Sequence, residues 1–303
     1  MAKIVVVGGI NIDIEGRPFR PLIEQDSNPG KIRMSFGGVG RNIVENVART
    51  GGDVAMISVV GDDSMGQAAV KQLEDLGVNV DGIKTMEDRN SSMYLSVLNH
   101  QGDMEIAVSD MDILDNLTIE TLKENEGLLM DSEVVALDGN LDEKLLKETT
   151  EFLKGKKLFF DPVSANKAVK AKNCIGKFYA VKPNRIESEV LSGIHIETEE
   201  DLHRSGDWYL EQGVKEVFIS LSAQGVFYCN EKKRGIIPPG NIKLVSATGA
   251  GDSFSAMILN GIAEGMDIEE IAKAGMAASS ITMESSQAVN DKICREEINR
   301  RVK

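Results

Sequence analysis

The chain opens with Lys3-Ile4-Val5-Val6-Val7-Gly8-Gly9-Ile10-Asn11-Ile12-Asp13. Four branched apolar residues in a row, stopped by glycine, are the pattern of a short strand buried on both faces, as in a parallel sheet. Outward from it, residues 40–50 place Ile43, Val44, Val47 and Ala48 at helical spacing, and Gly51-Gly52 supplies the stop. Residues 54–60 then read as strand and 64–76 as helix, ended by Gly77. From about residue 118, helical patterns near 118–130, 142–153 and 198–212 alternate with strands at 134–137, 158–160, 178–181 and 217–221. Short strands are expected at 226–229, 234–237 and 242–245, followed by two apolar helices, 251–264 and 268–283, and a charged helical tail. Such alternation implies βαβ crossovers: an α/β fold with a mostly parallel sheet and helices on both faces.

Two pieces stand outside that scheme. Residues 14–35 carry Arg17-Pro18, Arg20-Pro21 and Asn28-Pro29-Gly30 and read as an exposed excursion. Residues 91–108 alternate, turn at Asn99-His100-Gln101-Gly102 and return, which is a hairpin. The two are expected to pair as a small β-lid, formed by about 14–35 and 90–109, on a single domain spanning 1–303.

The 303 residues carry a net charge of −14, which disfavours a nucleic-acid partner because phosphate backbones reward clustered Lys and Arg. It leaves room for a nucleotide, which needs only a local positive field. No run reaches the roughly 18 apolar residues that span a bilayer. With no signal-peptide pattern at the start, the expectation is a cytoplasmic protein. Cys174, Cys229 and Cys294 are too scattered for a disulfide framework or metal cluster and read as isolated thiols.

Four motifs carry chemistry. In Thr248-Gly249-Ala250-Gly251-Asp252, placed between a strand and a helix starting near Ser253, glycines let successive N–H groups turn toward one point, where the helix adds its positive end. That is an anion hole, and a carboxylate ending the turn is placed to accept a proton. Alone, the pentapeptide fits equally well an Asp252 that merely caps a helix. In Gly8-Gly9-Ile10-Asn11-Ile12-Asp13, Asn11 and Asp13 follow a strand's carboxyl end, where open α/β sheets hold ligands. Phe36-Gly37-Gly38-Val39-Gly40-Arg41-Asn42 is a glycine turn entering a helix; Ile43 replaces the third glycine of a dinucleotide fingerprint, and no P-loop is present. In Lys182-Pro183-Asn184-Arg185-Ile186-Glu187, Asn184 and Glu187 have capping-box spacing, or else they face Mg²⁺ through its waters.

The order and spacing of these four motifs resemble the ribokinase-like (PfkB) carbohydrate kinases over residues 3–290. Within that family, Asp26-Ser27-Asn28-Pro29-Gly30-Lys31-Ile32, Asn90-Ser91-Ser92-Met93-Tyr94-Leu95-Ser96, Asp110-Met111-Asp112-Ile113 and Asp161-Pro162-Val163-Ser164-Ala165 resemble the branch that acts on pseudouridine. The resemblance implies a Rossmann-like domain with a lid, and in-line phosphoryl transfer from ATP to a ribose 5′-hydroxyl with Asp252 as base. Ribose, adenosine or another nucleoside is the alternative acceptor. It further implies that Asn11, Asp13, Gly37, Gly38 and Asn42 hold the ribose, with Asp138 or Asn140 as a further contact. Asn184, Ser220, Ser222, Gly225, Thr248 and the Gly249-Ala250-Gly251 turn would then hold the nucleotide. Ser222 departs from the family pattern, which commonly has glycine there. Ser27, Asn28, Ser91 and Ser92 are candidates to read the base through its N1–H. Family members often bind K⁺ beside the anion hole. The usual acid is Ser246 here, leaving backbone carbonyls near Ser246, Thr248 and 281–286 as ligands and implying weak or moderate K⁺ dependence. A homodimer through the lid is also implied. His100, His195 and His203 receive no role, and Lys31 and Arg41 are expected to be solvent-exposed charges, with approach to a phosphate as the alternative for each.

Overall fold

The computed structural model describes residues 2–240 and 242–302. From β1 (Ile4–Val7) the chain passes through β2 (Asn11–Pro18) and β3 (Gly30–Gly37) into α1 (Val39–Arg49). Next come β4 (Val54–Gly61), α2 (Ser64–Asp75), β5 (Asn79–Met86), β6 (Ser92–Leu98) and β7 (Met104–Asp110). Two short helices, α3 (Ile119–Glu124) and α4 (Glu126–Asp131), lead to β8 (Val134–Asp138), α5 (Glu143–Phe152), β9 (Lys157–Asp161), α6 (Ala165–Ala168) and β10 (Ala180–Val181). After α7 (Arg185–Ser192) and α8 (Glu199–Gln212) come β11 (Glu216–Ser220), β12 (Val226–Cys229) and β13 (Arg234–Ile237). The chain then finishes with α9 (Ala250–Glu264), α10 (Ile268–Met283) and α11 (Arg295–Val302).

Nine strands form one sheet in the order β13-β12-β11-β10-β9-β8-β1-β4-β5, parallel except at β12 and β13. Alternation along β1 explains the two cores: Val5 and Val7 point into one apolar layer and Ile4 and Val6 into the other, so both sheet faces are buried. Chain order reverses at β1, which has β4 on one side and β8 on the other. In such sheets the crevice beyond the carboxyl ends of the strands at the reversal is where ligands sit.

The excursion and the hairpin do pair, as a separate four-stranded sheet ordered β3-β2-β6-β7. Its strands run three residues further toward Gly8 than the expected start at 14, and to Gly37 rather than 35, because β2 and β3 continue their ladder to Asn11↔Gly37.

Elsewhere the sequence reading is corrected in four places. Residues 242–245 form no strand; the Val245 N–H instead donates to the Met283 carbonyl at the end of α10 (2.8 Å). The expected strand 178–181 pairs only over its last two residues. The helix at 118–130 breaks at Asn125, whose side chain donates to the Thr121 carbonyl (2.9 Å). Finally, β5 was invisible because its alternation is broken by Asp81-Gly82, where a ladder irregularity lies.

Candidate active site

The helix after the glycine turn begins at Ala250, not Ser253, with Gly249 as its N-cap in the left-handed region (φ +78°). A β-carbon at Gly249 would lie 1.8 Å from the Ala288 carbonyl oxygen, so only glycine lets the turn pack on the 284–290 loop. Asp252 therefore sits inside the first turn of α9 and caps nothing. Its carboxylate instead accepts a hydrogen bond from the Asn42 side-chain amide (2.8 Å), joining residues 210 apart. Of the expected cradle amides, Ala250 N–H is engaged by the Ala247 carbonyl (3.3 Å), whereas those of Gly249 and Gly251, and of Asp252 after them, have no carbonyl partner among the described residues.

The residues expected on the sugar side cluster where β1 and β8 end. Asn11 donates to Asp13 (2.5 Å). Gly38 (φ +99°) lies so close to Gly9 and Asn11 that a β-carbon would come within 2.4 Å of the Gly9 carbonyl, and one on Gly37 would strike Asp13. Asp138 is buried and accepts backbone N–H groups from Gly9 (3.4 Å), Gly40 (3.0 Å) and Asn140 (2.8 Å). Asp138 thus holds the site together through three of its lone pairs, and the partly exposed Asn140, bridged to Lys167 (2.6 Å), is the freer of the two expected contacts.

The residues expected on the nucleotide side lie at the ends of β10 and β11. Asn184 and Glu187 form the full capping box of α7, and Asn184 bridges to Ser220. Ser222 has φ +53° and Gly225 φ +94°, the left-handed backbone that the family's glycine at 222 would adopt freely. The Ser246 hydroxyl accepts the Thr248 N–H (3.1 Å), so it closes the turn that precedes the cradle.

Both Glu187 oxygens accept hydrogen bonds from Asn184, one from its backbone N–H and one from its side chain. A carboxylate offers about four lone-pair sites, so capacity remains toward waters of a hydrated cation beside the exposed Asn184. The residues fit Mg²⁺ held through water, and no cluster of three or more acidic, His or Cys groups fit for direct coordination occurs among the described residues.

Of the four candidate base readers, two are committed. Asn28 uses both ends of its amide on the Ile23 and Asp26 backbone within its own exposed loop, and Ser27 lies in that loop as well. Ser91 is buried and accepts the Gly61 N–H (2.9 Å). Ser92, paired in register with Asn11, has a buried hydroxyl with no partner among the described residues.

Three charged residues had no role in the sequence reading. Lys182 and Asp161, buried beneath the glycine turn, form an ion pair (3.2 Å), and the Lys182 Nζ lies 3.0 Å from where a Gly251 β-carbon would be. Asp161 also accepts from Ser255 on α9 (2.7 Å). Arg41, expected at the surface, is buried, as its partners require: the side chains of Asn42, Glu45 and Gln72 and the Phe36 carbonyl. Lys31 is exposed, as expected. The one signal that could have found Asp161 was its position after a strand, at the same end of the sheet as Asp138 and Lys182.

Electrostatics follow mainly from burial. Burial, then the neighbouring Asp161, pushes Asp252 up to about 7, against the pull of Asn42 and Lys182. Burial likewise lifts Asp13 and Asp138 to about 6. Burial works against the Lys182 charge, but Asp161, Glu187 and Asp252 hold its pKa above the ordinary lysine value.

With that geometry in place, comparison with known proteins is unambiguous about class. The family model for pfkB family carbohydrate kinases matches residues 1–293. The chain belongs to that family and is a sugar or nucleoside kinase, a phosphotransferase with an alcohol group as acceptor. Pseudouridine kinase of Escherichia coli is 34% identical over 281 residues, covering 92% of this chain and 90% of that protein. Guanosine-inosine kinase of Exiguobacterium acetylicum is 29% identical, covering 95% and 96%. A crystal structure from Clostridium perfringens superposes with a TM-score of 0.91 at 31% identity, covering 100% of this chain and 96% of that one.

A carboxyl whose pKa is raised in the fold keeps its proton while the unfolded chain has already released its own. The stability this gives is complete below about pH 4 and is lost as pH climbs through about 7. Asp252→Asn in the ligand-free protein is therefore expected to raise Tm more at pH 8 than at pH 5, read by calorimetry. An equal or larger gain at pH 5 would contradict the raised pKa.

Proposed function

We propose that the chain transfers the γ-phosphoryl group of ATP to the 5′-hydroxyl of pseudouridine, giving pseudouridine 5′-phosphate and ADP. What carries the chemistry is the Asp252 carboxylate, held by Asn42 at the amino end of α9. As the acceptor oxygen bonds to the γ-phosphorus and the bond to the ADP oxygen breaks, Asp252 takes the hydroxyl proton. The unengaged Gly251 and Asp252 amides, the amino end of α9 and Lys182 beneath them supply fixed positive potential for the transferring group. When bound, Mg²⁺ supplies charge neutralisation to the phosphates, held through water by Asn184 and Glu187.

Pseudouridine is favoured by the 34% relative, and Ser92, with its unpartnered hydroxyl beside Asn11, is the residue we assign to the base or ribose side. Guanosine and inosine form the second reading, on the strength of the 29% relative. K⁺ held by backbone carbonyls beside Ser246 and Thr248 accelerates turnover only modestly in this reading, since the Ser246 hydroxyl is engaged in the turn.

The four-stranded sheet serves as the lid, its polar face, with Asn11 and Asp13, turned to the substrate. Ladder register puts Ile32, Met34, Leu95, Ile106 and Val108 together on the opposite face, all exposed by 41% or more. An apolar surface of that kind is ordinarily covered, and we assign its cover to the lid of a second copy. Ile106→Asp is expected to convert a dimer to monomer in sedimentation; a monomeric wild-type protein would remove the assignment.

Coupled ADP release against pseudouridine, uridine, guanosine, inosine, adenosine and ribose tests the acceptor. The proposal expects pseudouridine to give the highest kcat/KM, with uridine at least about tenfold lower for want of the N1–H donor. A purine nucleoside or ribose turned over best would replace pseudouridine while leaving the phosphotransferase chemistry intact.

A further inference from the structure

Asn42 is an amide, with an acceptor at one end and a donor at the other, and nothing in its own backbone decides which end faces Asp252. Its neighbour Arg41 decides it. One guanidinium nitrogen of Arg41 donates to the Asn42 Oδ1 (3.0 Å) and to the Phe36 carbonyl (3.0 Å). The other donates to Gln72 on α2 (2.7 Å) and pairs with Glu45, which also receives Arg49 (2.7 Å). With Oδ1 held by a cation, the Asn42 NH₂ must point at the Asp252 carboxylate. Flipped, the amide would set oxygen against carboxylate and NH₂ against guanidinium, so both ends would lose.

We propose that Arg41 is a positioning residue for phosphoryl transfer: it fixes the Asn42 amide and, through it, aims the Asp252 carboxylate at the acceptor hydroxyl. Through the Phe36 carbonyl the same guanidinium grips the end of β3, so the aim of the base is tied to where the small sheet joins the main domain. Glu45 and Gln72, buried or half-buried around the guanidinium, keep it from swinging away. A surface or purely cohesive arginine would not need three of its donors divided between a catalytic amide, a strand end and a second helix. This inference rests on Asp252 as the base.

Removing Arg41 alone leaves Glu45 buried without its partner, so the test uses the charge-balanced pair Arg41→Met with Glu45→Gln, alongside Asn42→Ala and the combination of all three. Each is assayed on the acceptor that the wild-type protein turns over fastest. The pair is expected to lose at least about tenfold in kcat, as misplaced reacting groups do, with KM for ATP within about twofold. Adding it to Asn42→Ala should then cost nothing more, because its effect passes through that amide. The acid limb of kcat/KM should also move upward, since an Asn42 free to turn its oxygen toward Asp252 adds to the repulsion already exerted by Asp161 and Asp138 and opposed by Lys182.

Wild-type kcat in the pair, or losses that multiply in the combined variant, would overturn the assignment and leave Arg41 a packing residue. Should the pair prove insoluble, Arg41→Lys decides: a retained fold with kcat reduced and the acid limb moved supports the role, and unchanged values refute it. Asp252→Asn separates the two claims. If it stays active the base reading itself fails, whereas an inactive Asp252→Asn beside a fully active pair removes Arg41 alone.

Discussion

The site depends on one buried carboxylate. Asp138 closes β8 and spends its lone pairs on the N–H groups of Gly9, Gly40 and Asn140, drawing the end of β1, the start of α1 and the loop after β8 to a single point. The approach is so tight that a β-carbon on Gly8 would lie 2.3 Å from the Asp138 oxygen, and one on Gly40 2.9 Å from the Gly8 α-carbon. Its charge is stabilised mainly by these dipoles, the condition under which a carboxylate survives burial. Because α1 is pinned there, Asn42 comes within hydrogen-bond reach of α9, and a carboxylate near the end of the chain meets residues from its beginning.

The parts of the fold that could be read in advance were those whose physics is local. Ile4-Val5-Val6-Val7, stopped by glycine, must be a strand buried on both faces, and Asp142, Thr198 and Asp267 announce helix starts by capping. The glycine motifs were legible for a related reason, since Gly38 and Gly249 hold backbone conformations and contacts that any β-carbon would forbid. Asn184 and Glu187 looked like either a capping box or magnesium partners, and the box is present in full while leaving room for a hydrated ion.

What could not be read were charges whose partners lie far along the chain. Nothing around Lys182 announces that it will sit among Asp161, Glu187 and Asp252, and an arginine one residue into a helix looks like any exposed cation until α2 and β3 close over it. Asp138 shows the complementary case. A carboxylate at the end of a strand resembles a ligand contact, but the backbone amides that consume it belong to segments 98 and 129 residues away.

The interior of the site is consequently short of positive charge. Asp13, Asp138 and Asp252 have their pKa values lifted chiefly by burial, with the neighbouring Asp161 adding to the lift at Asp138 and Asp252. That burial costs stability in the free protein and suits the proton-acceptor role proposed for Asp252, whose pKa lies at about 7. The most direct measurement is the single-turnover rate of Asp252→Asn with saturating ATP, together with ATP affinity by calorimetry. The account predicts a fall of at least about 10²-fold in rate at near-unchanged affinity. A fall of less than about tenfold would contradict the assignment of Asp252 as the base.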